Sequence, residues 1–261
     1  MRLSNKVVLI TGSTTGIGRA IAERCVQEGA RVIIHGLEES LADDCVRQLG
    51  DANAVCHVED LAREGCADRL VSRAIGRFGR LDVVVNNAAL VASGNIQSTD
   101  EKLLQQMLTV NTVAPFLLIK AALPYLQSAR GSVLNIGSVN AWCGEAGLLP
   151  YSISKGALTT LTRNLGDALM QGYGVRVNQI NPGWVLTENE ASRKLAQGFC
   201  ADWETKLPRT IAPAGRLLHP KEIAAVAIGW ISDEMGPVSG QVCELEQYPL
   251  IGRNLSKECF L

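Results

Sequence analysis

The sequence has almost no excess of charge of either sign, few histidines and no long apolar run, and each shortage closes off a class of function. Its 25 basic and 26 acidic residues give a formal net charge of −1. The basic residues are scattered without a run, so there is no electrostatic footprint for nucleic acid or an anionic membrane. A small-molecule partner is expected instead. The three histidines and eight cysteines, the latter at 25, 45, 56, 66, 143, 200, 243 and 259, form no C-x-x-C pair and no metal-ligand spacing. No metal site is expected, and the cysteines read as reduced, mostly buried thiols of a cytoplasmic protein. Residues 1–6 run directly into an apolar strand without a signal-peptide core, and no stretch approaches a membrane span, which argues against secretion or membrane insertion.

What is present suits one large α/β domain over residues 1–261, since 47% hydrophobic content can bury a full core at this length. Short apolar runs alternate with amphipathic ones, the pattern of a doubly wound, seven-stranded parallel sheet with helices on both faces. Strands are expected at 6–10, 31–35, 54–58, 81–85, 132–136, 175–180 and 241–245. Helices are expected over 38–49, 62–78 and 100–127, with another opened by Pro150. Between Pro182 and Pro220 the pattern weakens, with Trp184, Phe199 and Trp203 among polar residues. Ligands of open sheets bind beyond the carboxyl ends of the strands, and Gly12, Gly36, Asp60, Asn87, Ser138 and Pro182 all fall there.

The first strand leads into Thr11-Gly12-Ser13-Thr14-Thr15-Gly16-Ile17-Gly18 and then an amphipathic helix. Strand, glycine turn and helix are the setting of a dinucleotide fingerprint. Gly12 allows the sharp turn, Gly16 lets backbone approach a pyrophosphate, and Gly18 lets the helix pack closely. The phosphates would rest on the helix N-terminus, where unpaired N–H groups favour anions. The spacing is G-x-x-x-G-x-G, unlike the commoner G-x-G-x-x-G.

Tyr151 and Lys155 lie four residues apart, on one helical face, and Ser138 thirteen residues earlier. They offer a proton donor, a cation to tune it and a hydroxyl to hold a carbonyl oxygen. Bringing a phenol from its usual pKa of about 10 to neutrality costs about 4 kcal/mol. One unit charge about 4 Å away, at an effective dielectric of about 20, supplies about 4 kcal/mol. Lys155 is therefore expected to lower the Tyr151 pKa.

Together these motifs, with Asp60-Leu61, Asn86-Asn87-Ala88-Ala89, Asn111 and Pro182-Gly183 with Thr187, resemble the short-chain dehydrogenase/reductase family from Val7 to about Val242. The resemblance implies Tyr151 as general acid or base and Lys155 as holder of the nicotinamide ribose. It implies Ser138 as donor to the substrate oxygen and Asn111 as anchor of a water joining Lys155 to solvent. It also implies cofactor contacts from Gly12, Ser13, Thr15, Gly16, Ile17, Gly18, Gly36, Leu37, Asp60, Leu61, Asn87, Ala88, Tyr151, Lys155, Pro182, Val185 and Thr187. Asp60 would accept from the adenine amino group, Asn87 and Ala88 would line the adenosine ribose, and Val185 and Thr187 would face the carboxamide. The segment at about 184–219 resembles the family's mobile substrate loop. Ala89 replaces the usual glycine, and the end, Cys243 to Pro249, lacks the usual Asp-Gly-Gly.

An NAD-preferring relative usually has aspartate where Gly36 stands, and an NADP-preferring one arginine near Leu37 or a base near Ser13 to Thr15; neither is present. Glu38 and Glu39 would repel a 2′-phosphate, so NAD is expected, with NADP left open. Trp142, Cys143, Glu145, Trp184 and Glu188 are pocket candidates suited to a sugar, polyol or hydroxy acid. A 3-oxoacyl carrier-protein reductase and a non-catalytic cofactor sensor are the alternatives. The helices carrying Asn111 and Tyr151 resemble those that pair in family dimers and tetramers, so a homo-oligomer is expected.

Overall fold

Both faces of a parallel sheet are covered by helices, so its strands read as continuous apolar runs whose alternate residues enter two separate cores. The computed structural model describes residues 1–250; Cys259 and the rest of 251–261 lie outside the described residues. The strands are β1 (Val7–Ile10), β2 (Arg31–Gly36), β3 (Ala54–Val58), β4 (Val83–Asn86), β5 (Ser132–Ile136), β6 (Arg176–Pro182) and β7 (Val242–Leu245). They form one parallel sheet in the order β3-β2-β1-β4-β5-β6-β7. The helices are α1 (Gly16–Gln27), α2 (Glu39–Leu49), α3 (Cys66–Phe78), α4 (Glu101–Leu108), α5 (Ala114–Ala129), α6 (Asn140–Cys143), α7 (Leu149–Tyr173), α8 (Glu188–Ala196) and α9 (Pro220–Ile231). Val8, Ile10, Val32 and Ile34 join Ile21 of α1 and Ile228 of α9 in one core. Val7, Leu9 and Ile33 join Leu70 of α3, Leu118 of α5 and Leu169 of α7 in the other. The strand order reverses between β1 and β4, which opens a crevice at their carboxyl ends.

Three local differences from the expected elements have physical causes. α3 starts at Cys66 rather than 62, because Asp60 Oδ1 accepts the Ala62 N–H at 2.9 Å and Gly65, at φ 75°, turns the chain before the helix. The helix expected over 100–127 is capped by Asp100, whose carboxylate accepts Leu103 N–H at 2.7 Å. It continues to Ala129 through a π-helical turn at Thr109–Val113. Within 184–219 lie α8 and a short 3₁₀ turn at Trp203–Lys206.

Two composition-based expectations need correction. Of the seven described cysteines, Cys25, Cys45 and Cys66 are buried, Cys56 and Cys243 are intermediate, and Cys143 and Cys200 are exposed, so burial is not the rule. One helical run, Glu101–Ala129, is long and apolar enough to cross a membrane by length and composition. One of its faces packs on the sheet through Leu118, Ala122 and Leu126, while Val113, Phe116 and Leu117 are exposed.

Asp82, counted in the apolar run at 81–85, is buried just before β4 and ties that strand to β1. Its Oδ2 accepts Val7 N–H at 2.8 Å and Arg80 Nε–H at 2.9 Å. Asp82→Ala leaves a buried strand N–H unpaired and should cost about 2 kcal/mol in urea unfolding. Asp82→Asn, which keeps a carbonyl oxygen for Val7, should cost about half as much; unfolding of the alanine variant at the wild-type urea concentration would contradict the anchor.

Candidate active site

The glycine turn after β1 is shaped by close backbone approach. Gly12 and Gly16 have φ of 60° and 54°, values that side chains rarely adopt. A Cβ on Gly12 would fall 2.8 Å from Ala88 Cα, and one on Gly18 would overlap the Gly12 carbonyl and the Asn87 amide. Thr11 Oγ1 accepts both Asn87 and Ala88 N–H groups at 3.0 Å, and Asn87 Nδ2 donates to Thr11 O and Gly12 O at 2.9 Å. Thr15 caps α1 only by backbone, with no side-chain cap bond. The first-turn N–H groups of α1 therefore remain as donors for an anion beside a glycine cradle.

His35 is a functional position that sequence reasoning missed. Its Nδ1 accepts Gly12 N–H at 3.2 Å and its Nε2 lies 2.9 Å from Glu59 O, an arrangement that only the neutral Nε2–H tautomer satisfies. Burial pushes its pKa down to about 4, so the clamp on the glycine turn holds above that pH. The signal available was a histidine inside the otherwise apolar run of β2. Ser13 differs from its expected place at the cofactor: it is fully buried, its hydroxyl donates to Ile10 O and accepts from His35 N–H, and its own N–H donates to His35 O. Gly36 backs onto Thr14, whose side chain a Cβ there would overlap. Leu37 is 69% exposed. Asp60 turns one carboxylate oxygen onto Ala62, as above, and Leu61 and Ile17 pack partly into the cores.

On the other side of the crevice, α7 carries Tyr151 and Lys155 in its first turns, with Pro150 in the position where a missing N–H costs nothing. Lys155 is buried, 5.7 Å from the Tyr151 ring centroid, and its Nζ donates to Ile136 O at 2.7 Å. Ser138 stands beside the Tyr151 phenol and lowers its pKa, and its hydroxyl accepts Asn140 N–H at 3.2 Å. Against the expectation that the ammonium acidifies the phenol, loss of water dominates both groups. Burial pushes Tyr151 up to about 12, opposed by Ser138 and Arg193. Burial likewise pushes Lys155 down to about 7. Asn111 lies in the π turn, a feature frequent at functional sites, but its side chain is engaged elsewhere. Oδ1 accepts Leu90 N–H at 2.8 Å, while Nδ2 donates to Leu90 O and Ser154 Oγ, each at 2.9 Å.

The segment after β6 closes the crevice. Pro182 O accepts Val139 N–H at 3.1 Å, and buried Val185 pairs with Leu218. Thr187 caps α8, accepting Glu190 N–H at 3.1 Å, and its methyl faces Gly16. Trp184 Nε1 donates to Glu190 Oε1 at 2.8 Å, and Glu190 pairs with Arg193. Both charges act electrostatically on the Tyr151 phenol, an influence with no sequence signature. Of the other pocket candidates, Trp142 lies under the Arg163 guanidinium, 5.0 Å from the ring centroid, Glu145 accepts Asn140 Nδ2–H at 3.2 Å, and Cys143, Glu145 and Glu188 are exposed.

Lys155 should cost stability. Its pKa falls from 10.5 to about 7 on folding, so between those values the unfolded chain binds a proton that the folded chain does not, and stability rises with pH there. Below pH 7 the penalty is complete, at most about 5 kcal/mol. Lys155→Met removes it while losing about 1 kcal/mol for the bond to Ile136 O. The variant should therefore be more stable at pH 7, with the gain shrinking as pH approaches 10.5; a pH-independent or negative change in denaturant unfolding would contradict this.

The family profile described as short chain dehydrogenase matches residues 6–198. The L-fucose dehydrogenase of Bos taurus is 37% identical over 230 residues, which cover 87% of this chain and 83% of the relative. An uncharacterized oxidoreductase of Thermotoga maritima is 33% identical over 249 residues, 94% of this chain and 98% of the relative. The NADP-dependent (R)-specific alcohol dehydrogenase of Lentilactobacillus kefiri is 29% identical over 237 residues, 89% and 92% respectively. With the glycine cradle and the Ser138–Tyr151–Lys155 group at the strand ends, these matches establish that the chain belongs to the short-chain dehydrogenase family.

Proposed function

We propose that this protein interconverts a polar secondary alcohol, a sugar, polyol or hydroxy acid, and its ketone with NAD as the cofactor. As a family member it is an NAD(P)-dependent oxidoreductase acting on CH–OH groups. The observation that carries the reading is buried Lys155, 5.7 Å from the Tyr151 ring centroid and bonded to Ile136 O beside Ser138, across the crevice from the open N-terminus of α1. The glycine cradle and those N–H groups would hold the pyrophosphate, with Asp60 toward the adenine, Lys155 toward the nicotinamide ribose and the Thr187 hydroxyl toward the carboxamide. The nicotinamide supplies or accepts the hydride.

The chain's own residues handle the proton. With its pKa at about 12, Tyr151 is a neutral phenol at physiological pH, the form that donates a proton to a carbonyl oxygen as that oxygen gains charge. Ser138 Oγ would donate to the same oxygen. Any relay past Asn111 would use the backbone of the π turn, since its side chain is committed to Leu90 and Ser154.

The preference for NAD is supported by exposed Glu38 and Glu39 at the start of α2 and by the lack of a cation at Leu37. A 2′-phosphate there would meet like charge. The family does not choose for it, as one relative is named NADP-dependent. The polar substrate is supported by Glu190 and Arg193, whose charges act on the phenol and which offer an acceptor and donors for hydroxyl groups, and by the name L-fucose dehydrogenase among the relatives. The exposed Val113 of the π turn, Phe116 and Leu117 on α5, and Ile153 on α7 support a homo-oligomer, dimer or tetramer. The seven free cysteines among the described residues support the reducing cytoplasm.

Tyr151→Phe should lower kcat by about 100-fold or more while NADH binding persists; unchanged turnover would reject the mechanism. A panel of sugars, polyols, hydroxy acids and steroids, run with NAD and with NADP, should show turnover confined to the polar alcohols and tighter binding of NADH than of NADPH. Activity restricted to steroids, or a preference for NADPH, would overturn the corresponding half of the proposal.

A further inference from the structure

The segment after β7 replaces the family's usual Asp-Gly-Gly, and its two polar side chains bind both limbs of the 184–219 segment. Leu245 O accepts Gly183 N–H at 2.9 Å. Glu246 Oε2 accepts Trp184 N–H at 3.1 Å, and Oε1 accepts Gln247 N–H at 2.7 Å. The carboxylate lies so close to Gly183 that a Cβ there would overlap it, so glycine is needed at 183 for space. Gln247 reaches the returning limb: Oε1 accepts Ala214 N–H at 2.9 Å and Nε2 donates to Arg216 O at 2.8 Å. Between these points the limbs pair directly, Leu186 N–H to Leu218 O at 2.8 Å and Leu218 N–H to Trp184 O at 3.1 Å.

What hangs from this root is a charged pair that acts electrostatically on the phenol. The Trp184 indole is fixed twice, by its bond to Glu190 and by stacking on buried Trp203, with ring centroids 5.3 Å apart. Glu190 in turn holds Arg193 through Nε and Nη2 at 3.0 and 2.6 Å. A change in the Trp184 backbone would therefore move an acid and a base that act on Tyr151. Family membership does not supply this anchor, since the dipeptide departs from the family's usual pattern.

We propose that Glu246 and Gln247 are positioning residues that pin the two roots of the 184–219 segment, so that Trp184 presents Glu190 and Arg193 to the Tyr151 pocket. This rests on the reading of that segment as the substrate loop. Glu246 accepts the two backbone N–H groups on two separate oxygens, an arrangement a carboxylate provides and an amide does not, because one of its two positions is an NH₂ donor.

The test compares Glu246→Ala, Glu246→Gln and Gln247→Ala in the full chain. Tryptophan emission, the rate of tryptic cleavage at Arg193, Lys194, Lys206 and Arg209, NADH affinity, and kcat and KM for a polar alcohol are read together. Glu246→Ala should red-shift the emission, speed cleavage and raise KM about tenfold, the scale of one lost charge-assisted hydrogen bond. NADH affinity should stay within about twofold, because the glycine cradle is untouched. Glu246→Gln should fall between, keeping one acceptor for two donors, and Gln247→Ala should speed cleavage through the returning limb. Wild-type emission, cleavage and KM in Glu246→Ala would overturn the proposal. Faster cleavage with unchanged KM would keep the anchor and overturn the substrate-loop reading. If Glu246→Ala fails to bind NADH, Gln247→Ala decides: wild-type cleavage of that variant overturns the proposal.

Discussion

An amine held out of water against a backbone carbonyl is the constraint around which the site is arranged. Lys155 Nζ, buried beneath the Tyr151 ring, has Ile136 O as its partner at the end of β5. Holding it there requires the first turns of α7 to lie across the strand end, which also brings Tyr151 to Ser138, two residues beyond that strand. Desolvation then sets the protonation of both groups: the phenol keeps its proton and the amine parts with its own near neutrality. A single packing decision thus produces a neutral acid and a titratable base side by side.

The fold was largely legible because β1, β2, β4 and β5 are short, mostly apolar runs with both faces buried, and such runs recur between amphipathic helices. Element ends were less legible. Asp60 and Gly65 delay α3 by a turn-specific hydrogen bond and a left-handed backbone, effects that periodicity does not register. Residues 109–113 form a π turn within what reads as one continuous helix, for the same reason.

The candidate site divides in the same manner. Gly12, Gly18, Tyr151 and Lys155 could be read because their chemistry follows from residue type and spacing. Ser13 could not, since whether a turn hydroxyl faces outward or back toward Ile10 depends on the path of β2. His35, Glu190 and Arg193 come to the site through tertiary packing alone. The attraction of the ammonium for Tyr151 is opposed by the loss of water around both groups, which residue type and spacing do not register.

The direct measurement is a titration of the lysine side chains by NMR, with ¹³Cε label, on the wild-type chain and on Lys155→Met. The account predicts one lysine resonance that titrates at about 7 in the wild type and is missing from the variant. If every lysine instead titrates near the ordinary value of about 10.4, Lys155 remains a charged ammonium at neutral pH, and desolvation does not govern this site.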